Sequence, residues 1–305
     1  MRAFNAATLP LLLLAGFAGG VQPQDPAFRI SVDVDLVVLQ ATVRDGNGQF
    51  ASELREQDFA VYEDGVRQSI RLFRHEDIPV TVGLVIDHSG SMREKVPEVI
   101  AAARTFVHAS NQEDEMFIVD FNEHVVMGLP NATPFTNRVD DLESAILRAP
   151  TIGMTALYDA VVKAQERLQT GSRDKKVLIV ISDGSDNASK HTLAEILQKV
   201  EQSTALVYTI GVFEKDDPDG NPHVLKRLAQ VTGGEAFFSG DREQLVAACE
   251  RIARDIRHQY TIGYVPTAAA RPGVYRSIRV VAAAPGHGKL SVRARAGYIP
   301  GEAAK

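Results

Sequence analysis

The sequence predicts an α/β fold: a doubly wound, mostly parallel six-stranded sheet, inserted in a β-sandwich formed by the N- and C-terminal flanks. Three observations predict it. Between residues 78 and 257, apolar runs rich in Val and Ile alternate with amphipathic helical stretches, as expected of a parallel sheet covered by helices on both faces. Residues 28–77 and 258–300 instead alternate with a period of two, broken by Gly, Asn and Pro turns, which is the pattern of half-buried antiparallel strands. Each flank holds about three such strands, too few for a stable sheet alone. They are therefore expected to combine into one sandwich, with two independent small modules as the alternative, and the 305-residue length suits a two-part organisation.

Taken in order, residues 1–22 read as a signal peptide. A short apolar stretch, Leu9 to Gly20, follows Met1-Arg2 and ends in small residues, too short to span a bilayer comfortably. The expected location is secreted or periplasmic, and no other apolar segment is long enough to cross a membrane. In the first flank, Ile30 to Val43 alternates as a strand, and Asp58–Glu63 and Gln68–Phe73 flank an Asp64-Gly65 hairpin turn. The central strands are expected at Thr81–Asp87, Glu115–Asn122, His124–Met127, Lys176–Ser182, Ala205–Val212 and Gly234–Phe238. Helices are expected at Arg93–Ala109, Arg138–Ala149, Ala156–Gln169, Leu193–Gln202, Pro222–Val231 and Arg242–His258, with Asn137, Thr192 and Asp241 as N-caps. Period two returns in the second flank at Tyr260–Tyr264, Tyr275–Ala282 and Lys289–Arg295.

Composition narrows the functional classes. Apolar content of 45% and charged content of 24% are those of a globular protein. A net charge of -6 with no basic stripe argues against nucleic-acid binding. Cys249 is the one cysteine, so no internal disulfide forms, and its place in an amphipathic helical pattern marks it as a small core residue.

The chemistry concentrates at the ends of two strands. Val80 to Asp87 is an apolar run that ends in an acid, with hydroxyls following at Ser89 and Ser91. Such a strand-to-helix turn lies at the carboxyl edge of the sheet, where α/β folds bind ligands. Taken alone, Asp-x-Ser-x-Ser has two readings: hard oxygen donors for a magnesium-like ion, or residues that cap the next helix. Two further elements weigh toward the ion. Thr155 sits in a Gly-containing loop just before a helix, and the apolar strand from Lys176 ends in Asp183-Gly184. Asp87, Ser89, Ser91, Thr155 and Asp183 together are expected to supply five oxygen donors to one cation.

These three motifs resemble the von Willebrand factor type A domain, over roughly Val80 to Arg254. Its metal-ion-dependent adhesion site has the pattern Asp-x-Ser-x-Ser, a distant Thr, and an Asp followed by Gly that ends a later strand. The resemblance implies a Rossmann-like fold and metal ligands at Asp87, Ser89, Ser91, Thr155 and Asp183. It implies Mg2+ as the cofactor, with Mn2+ or Ca2+ as alternatives, and an Asp or Glu of a partner protein as the ligand that completes the ion's shell. The first helix is expected to point its positive N-terminus at the same place. In the flanks, Asp58-Phe-Ala-Val-Tyr-Glu-Asp-Gly65, Gln259–Tyr264 and Ala296–Tyr298 resemble a group of secreted proteins related to this domain and common in acidobacteria.

The function implied is an extracytoplasmic, adhesion-type protein-binding module and not an enzyme. Two alternatives are a metal-dependent hydrolase using the same cation and an accessory subunit of an ATPase complex. No enzyme motif with a nucleophile and an identifiable base occurs. Among weaker signals, His88 is expected at the solvent rim of the site, and Asp186 and Asn187 either near the ion or in an ordinary polar turn. Glu214 to Asn221 is expected as an acidic solvated loop, and Gly286-His-Gly-Lys289 as a hairpin turn.

Overall fold

The computed structural model describes residues 36–213, 220–269 and 271–300. The expected signal peptide, the strand start at Ile30 and most of the acidic stretch from Glu214 lie outside the described residues.

The first flank contributes β1 (Val37–Arg44), β2 (Phe59–Glu63), β3 (Val66–Gln68) and β4 (Ile70–Arg74). The central region runs β5 (Val80–Asp87), α1 (Val96–His108), β6 (Glu115–Phe121), β7 (Val125–Met127), α2 (Val139–Arg148), α3 (Leu157–Gln169) and β8 (Lys175–Ser182). It continues through α4 (Leu193–Gln202), β9 (Leu206–Val212), α5 (Pro222–Thr232), β10 (Ala236–Ser239) and α6 (Arg242–Arg257). The second flank adds β11 (Tyr260–Tyr264), β12 (Arg276–Ala282), β13 (Ser291–Arg293) and β14 (Gly297–Tyr298).

The central sheet has the order β10-β9-β8-β5-β6-β7. All its pairings are parallel except that of β7, which runs antiparallel to β6. Every residue of β5 is buried, which is why this strand, Thr81 and the terminal Asp87 apart, is apolar with no polar alternation. From β5 the chain moves to β6 on one side and later returns to β8 on the other. The order therefore reverses between β5 and β8, and their carboxyl ends frame the crevice where such sheets take ligands.

The flanks form two four-stranded antiparallel sheets, β13-β1-β11-β4 and β14-β12-β2-β3. Each contains strands from both ends of the chain. One apolar cluster draws on both, with Leu39, Phe59, Val61, Ile262, Tyr264 and Ile278 among its members. The Asp64-Gly65 turn joins β2 to β3 with φ of 48° and 81°, the conformation that favours this residue pair in a two-residue hairpin.

Several local expectations are corrected. Gln68–Phe73 is not one strand: the chain passes from β3 to β4 at Ser69, and the two belong to different sheets. The turn at Gly286–Lys289 likewise joins β12 to β13 across the two sheets and is not a hairpin. Asn137 is not the cap of α2. Arg138 occupies that position, while the Asn137 amide donates to the Gln112 carbonyl at 2.8 Å. Thr192 and Asp241 do cap α4 and α6, accepting from the Glu195 and Gln244 amides.

Candidate metal-binding site

Asp87 ends β5 and is fully buried. Its Oδ1 accepts the Ser89 backbone N–H at 2.8 Å, and its Oδ2 accepts the Ser182 hydroxyl at 2.6 Å. The Ser89 and Ser91 hydroxyls lie 3.1 Å apart, and Ser91 donates to Asp183 Oδ2 at 2.7 Å. Asp183 follows β8, and its Oδ1 accepts the Ser185 N–H at 2.9 Å. A chain of short contacts thus links the two strand ends across the crevice. Ser89, Ser91 and Thr155 line one open cleft of about 470 Å3, together with Gly153, Asp186 and Asn187.

The backbone is shaped to hold this arrangement. Gly184 has a φ of 82°, and a Cβ there would sit 2.4 Å from the Asn221 carbonyl oxygen. Only glycine allows the chain to turn so close to α5 directly after Asp183. Thr155 is placed by a neighbouring loop: its N–H donates to Asn187 Oδ1 at 2.8 Å, and its carbonyl accepts the amides of Asn187 and Ala188. Asp186 Oδ1 accepts the Tyr158 N–H at the start of α3, and Asp159 accepts the amides of Lys190 and His191. Asp186 and Asn187 therefore tie down the loop that carries Thr155. Sequence reasoning missed Ser182 altogether. Its one visible signal is a hydroxyl at the end of an otherwise apolar strand, directly before Asp183.

Burial pushes the Asp87 carboxyl up to about 6, against hydrogen bonds from Ser182 and Ser89 that hold it down, and Asp183 nearby raises it further. The groups acting most strongly on Asp87 are thus hydroxyls, an amide and another carboxylate, and none is a cation. The Thr155 hydroxyl has no hydrogen-bond partner among the described residues. Two buried carboxylates and three hydroxyls, one of them unengaged, are a donor set suited to a hard divalent cation.

Two expectations at the site are overturned. His88 is buried and not at the rim. Its ring nitrogens lie 3.1 Å from Asp120 Oδ1 and 3.3 Å from Thr151 Oγ1, so it is committed to β6 and to the loop before Thr155. It does not serve Ser89 as a base. The helix-cap reading of the opening motif also fails. Ser89 precedes a 3-10 turn, Gly90–Met92, without a side-chain cap bond, and α1 starts only at Val96. The Asp87 carboxylate fixes its own turn instead, and the N-terminus of α1 begins a turn later than expected.

Cys249 is buried in α6, and burial pushes its thiol up to about 12. That is the chemistry of an inert core residue. Among the described residues, no helix is long and apolar enough to cross a membrane.

The family profile described as von Willebrand factor type A domain matches residues 81–250. A curated relative, the inter-alpha-trypsin inhibitor heavy chain H2 of Sus scrofa, is 27% identical over 173 residues. That match covers 53% of this chain and 18% of the heavy chain, so the chain spans under a fifth of that relative. Among solved structures, a von Willebrand factor type A protein from Catenulispora acidiphila superposes with a TM-score of 0.52 at 16% identity. It covers 88% of this chain and 74% of its own. Proximal thread matrix protein 1 from the mussel byssus, solved with a zinc-occupied MIDAS motif, gives a TM-score of 0.50 at 14% identity. It covers 65% of this chain and 50% of its own. At these identities the superpositions establish the fold alone.

Proposed function

From the premise that the chain belongs to the von Willebrand factor type A family, we propose that it is a protein-interaction module. In this reading Asp87, Ser89, Ser91, Thr155 and Asp183 hold a divalent cation, and the cation binds an Asp or Glu of a partner protein. The observation that carries the proposal is the linked set Asp87–Ser182 and Ser89–Ser91–Asp183, whose Ser89 and Ser91 line the same cleft as Thr155. Neutral hydroxyls as ligands leave much of the ion's charge unquenched, and that charge attracts an external carboxylate. A hard oxygen set favours Mg2+, with Mn2+ and Ca2+ as the alternatives. The zinc-occupied motif of the mussel byssus protein supports a cation in this fold without fixing which one. We propose no catalytic step, since His88 is bound to Asp120 and Thr151. The apolar stretch from Leu9 to Gly20 supports placing the module outside the cytoplasm.

Calorimetric titration of chelator-treated protein with Mg2+ and Mn2+ tests the reading. One saturable site is expected, lost in Asp183→Ala and weakened in Ser91→Ala. Partner protein captured from an envelope extract should be released by chelator. Equal cation binding by Asp183→Ala and the parent would sink the proposal.

A further inference from the structure

A separate concavity of about 360 Å3 is lined by β1, β13, α5, α6 and the start of β10. Antiparallel β1 and β13 supply Arg44, Ser291 and Arg293, with Arg44 directly opposite Ser291 in register. Helix α5 supplies Lys226 and Gln230, one turn apart and both exposed, and α6 supplies Arg251. In a chain of net charge -6, four cations line one cleft.

Two carboxylates answer them. Asp255, buried beneath the cleft, takes Arg293 and, at 3.4 Å, Arg44. Glu235 takes Arg251 at 2.7 Å and Arg293 at 3.4 Å. Lys226 pairs with no carboxylate among the described residues. Four positive charges against two negative leave an excess of two, by subtraction from the same residues. Donors also remain. Arg251 uses Nη2 on Glu235, leaving Nε and Nη1, and Lys226, Gln230 and Ser291 keep all of theirs among the described residues.

The arginines are held in place before any ligand arrives. Arg44 lies over the Phe50 ring at 4.2 Å and donates to the Gly48 carbonyl, while Arg293 Nη1 donates to the Gly233 carbonyl at 2.6 Å. Arg251 lies 5.4 Å from the Phe237 ring centroid. Ordered guanidinium groups lose little freedom on binding, and their planar donor forks match tetrahedral oxyanions. Excess charge alone would make an ordinary basic surface. Excess charge, free donors and ordered side chains in one concavity make a binding site.

We propose that this cleft binds a tetrahedral oxyanion, phosphate or sulfate, either free or as the ester group of a larger molecule. Lys226 and Arg251 supply the donors that remain, and Arg44 and Arg293 supply the fixed field. The site is independent of the proposed cation and persists in chelator.

The test is an amide-shift titration of the full-length protein, in chelator and at fixed ionic strength. The probes are inorganic phosphate, inorganic sulfate, glucose 6-phosphate and glucose 6-sulfate, with chloride as reference. Saturating shifts are expected at residues 42–44, 226–235, 251 and 291–293 with both oxyanions and not with chloride. Lys226→Gln and Arg251→Gln, singly and together, lie at exposed positions where a lost surface ion pair costs the fold little, and each should weaken binding about tenfold, the worth of one charge-assisted contact. Esters that bind as well as the inorganic anions support an ester ligand, and esters that fail support a free anion. Shifts that rise linearly with concentration, match chloride, or survive the double substitution overturn the proposal.

Discussion

Asp87 is fully buried, and burial pushes its carboxyl up to about 6 from 3.8. A raised acid stabilises the fold below its unfolded value, and that contribution is lost as pH rises through about 6. At neutral pH and without a cation, ionised Asp87 therefore costs the fold up to about 3 kcal/mol. Asp87→Asn removes that charge and keeps groups that can meet Ser89 and Ser182. In chelator at pH 7.5 the variant should be about 1–2 kcal/mol more stable than the parent in urea unfolding, with the gain gone near pH 4. It should also lose cation binding, so stability and function oppose one another at this one residue. A variant less stable than the parent at both pH values would refute the argument. The five proposed ligands were legible because they sit at strand ends, where an abrupt change from apolar to polar residues marks the edge of a buried strand. His88 was not. Its position between Asp87 and Ser89 says nothing of the neighbouring strand, where Asp120, paired in register with Ile86, comes within 3.1 Å of the ring.

At the scale of elements, the loop after β8 works as a brace for the loop before α3. Asn187→Ala leaves the Thr155 amide without its acceptor, which costs about 1–2 kcal/mol and frees Thr155 to leave the cleft. Thr192→Ala, which removes the capping box of α4, costs about 1 kcal/mol. Unfolding experiments should therefore show similar losses for both, while cation titration separates them: affinity falls about tenfold in Asn187→Ala, a coupling of the usual size, and holds in Thr192→Ala. Equal cation affinity in the two variants would remove the brace from the account. The sequence located β5, β6 and β8 to within one residue at each end, because their β-branched runs stop at charged or polar residues. It misread the flanks where pairing matters more than pattern. Alternation shows that Val66–Gln68 and Ile70–Arg74 are extended, but carries no sign that β3 pairs with β2 while β4 pairs with β11.

Across the whole molecule, the flank sheets and the central sheet meet at a buried polar seam. Arg257, at the end of α6, pairs with Asp114 at 2.8 Å and with Asp77 at 2.6 Å on the segment leading into β5. Asp255 accepts from Tyr208, Arg293 and Arg44, and Arg295 donates to the carbonyls of Ser203 and Glu201. Lys175 opens β8 within this seam at 6% exposure, donating to the Ile256 carbonyl at 2.5 Å. Burial pushes its ammonium down to about 7 from 10.5, Arg257 adds to the depression, and Asp255, Asp77 and Asp114 resist it. A depressed lysine contributes stability above its unfolded value, near 10.5, which is lost as pH falls through about 7. The shift of about 3.5 units corresponds to a cost of up to about 5 kcal/mol at neutral pH and below. Lys175→Met fills the same volume without a charge but leaves the Ile256 carbonyl unpaired, a loss of about 1–3 kcal/mol. At pH 7 the variant should therefore be more stable by about 2 kcal/mol, a rise of a few degrees in melting temperature for a chain of this size. Near pH 10.5 the lysine is neutral when folded and only half charged when unfolded, so its cost has almost vanished, and the unpaired carbonyl should make the variant the less stable protein. Melting curves between pH 6.5 and 10.5 would show the two proteins crossing. Parallel curves would mean that Lys175 stays charged and paired in the seam, and that Asp255, Asp77 and Asp114 outweigh its burial.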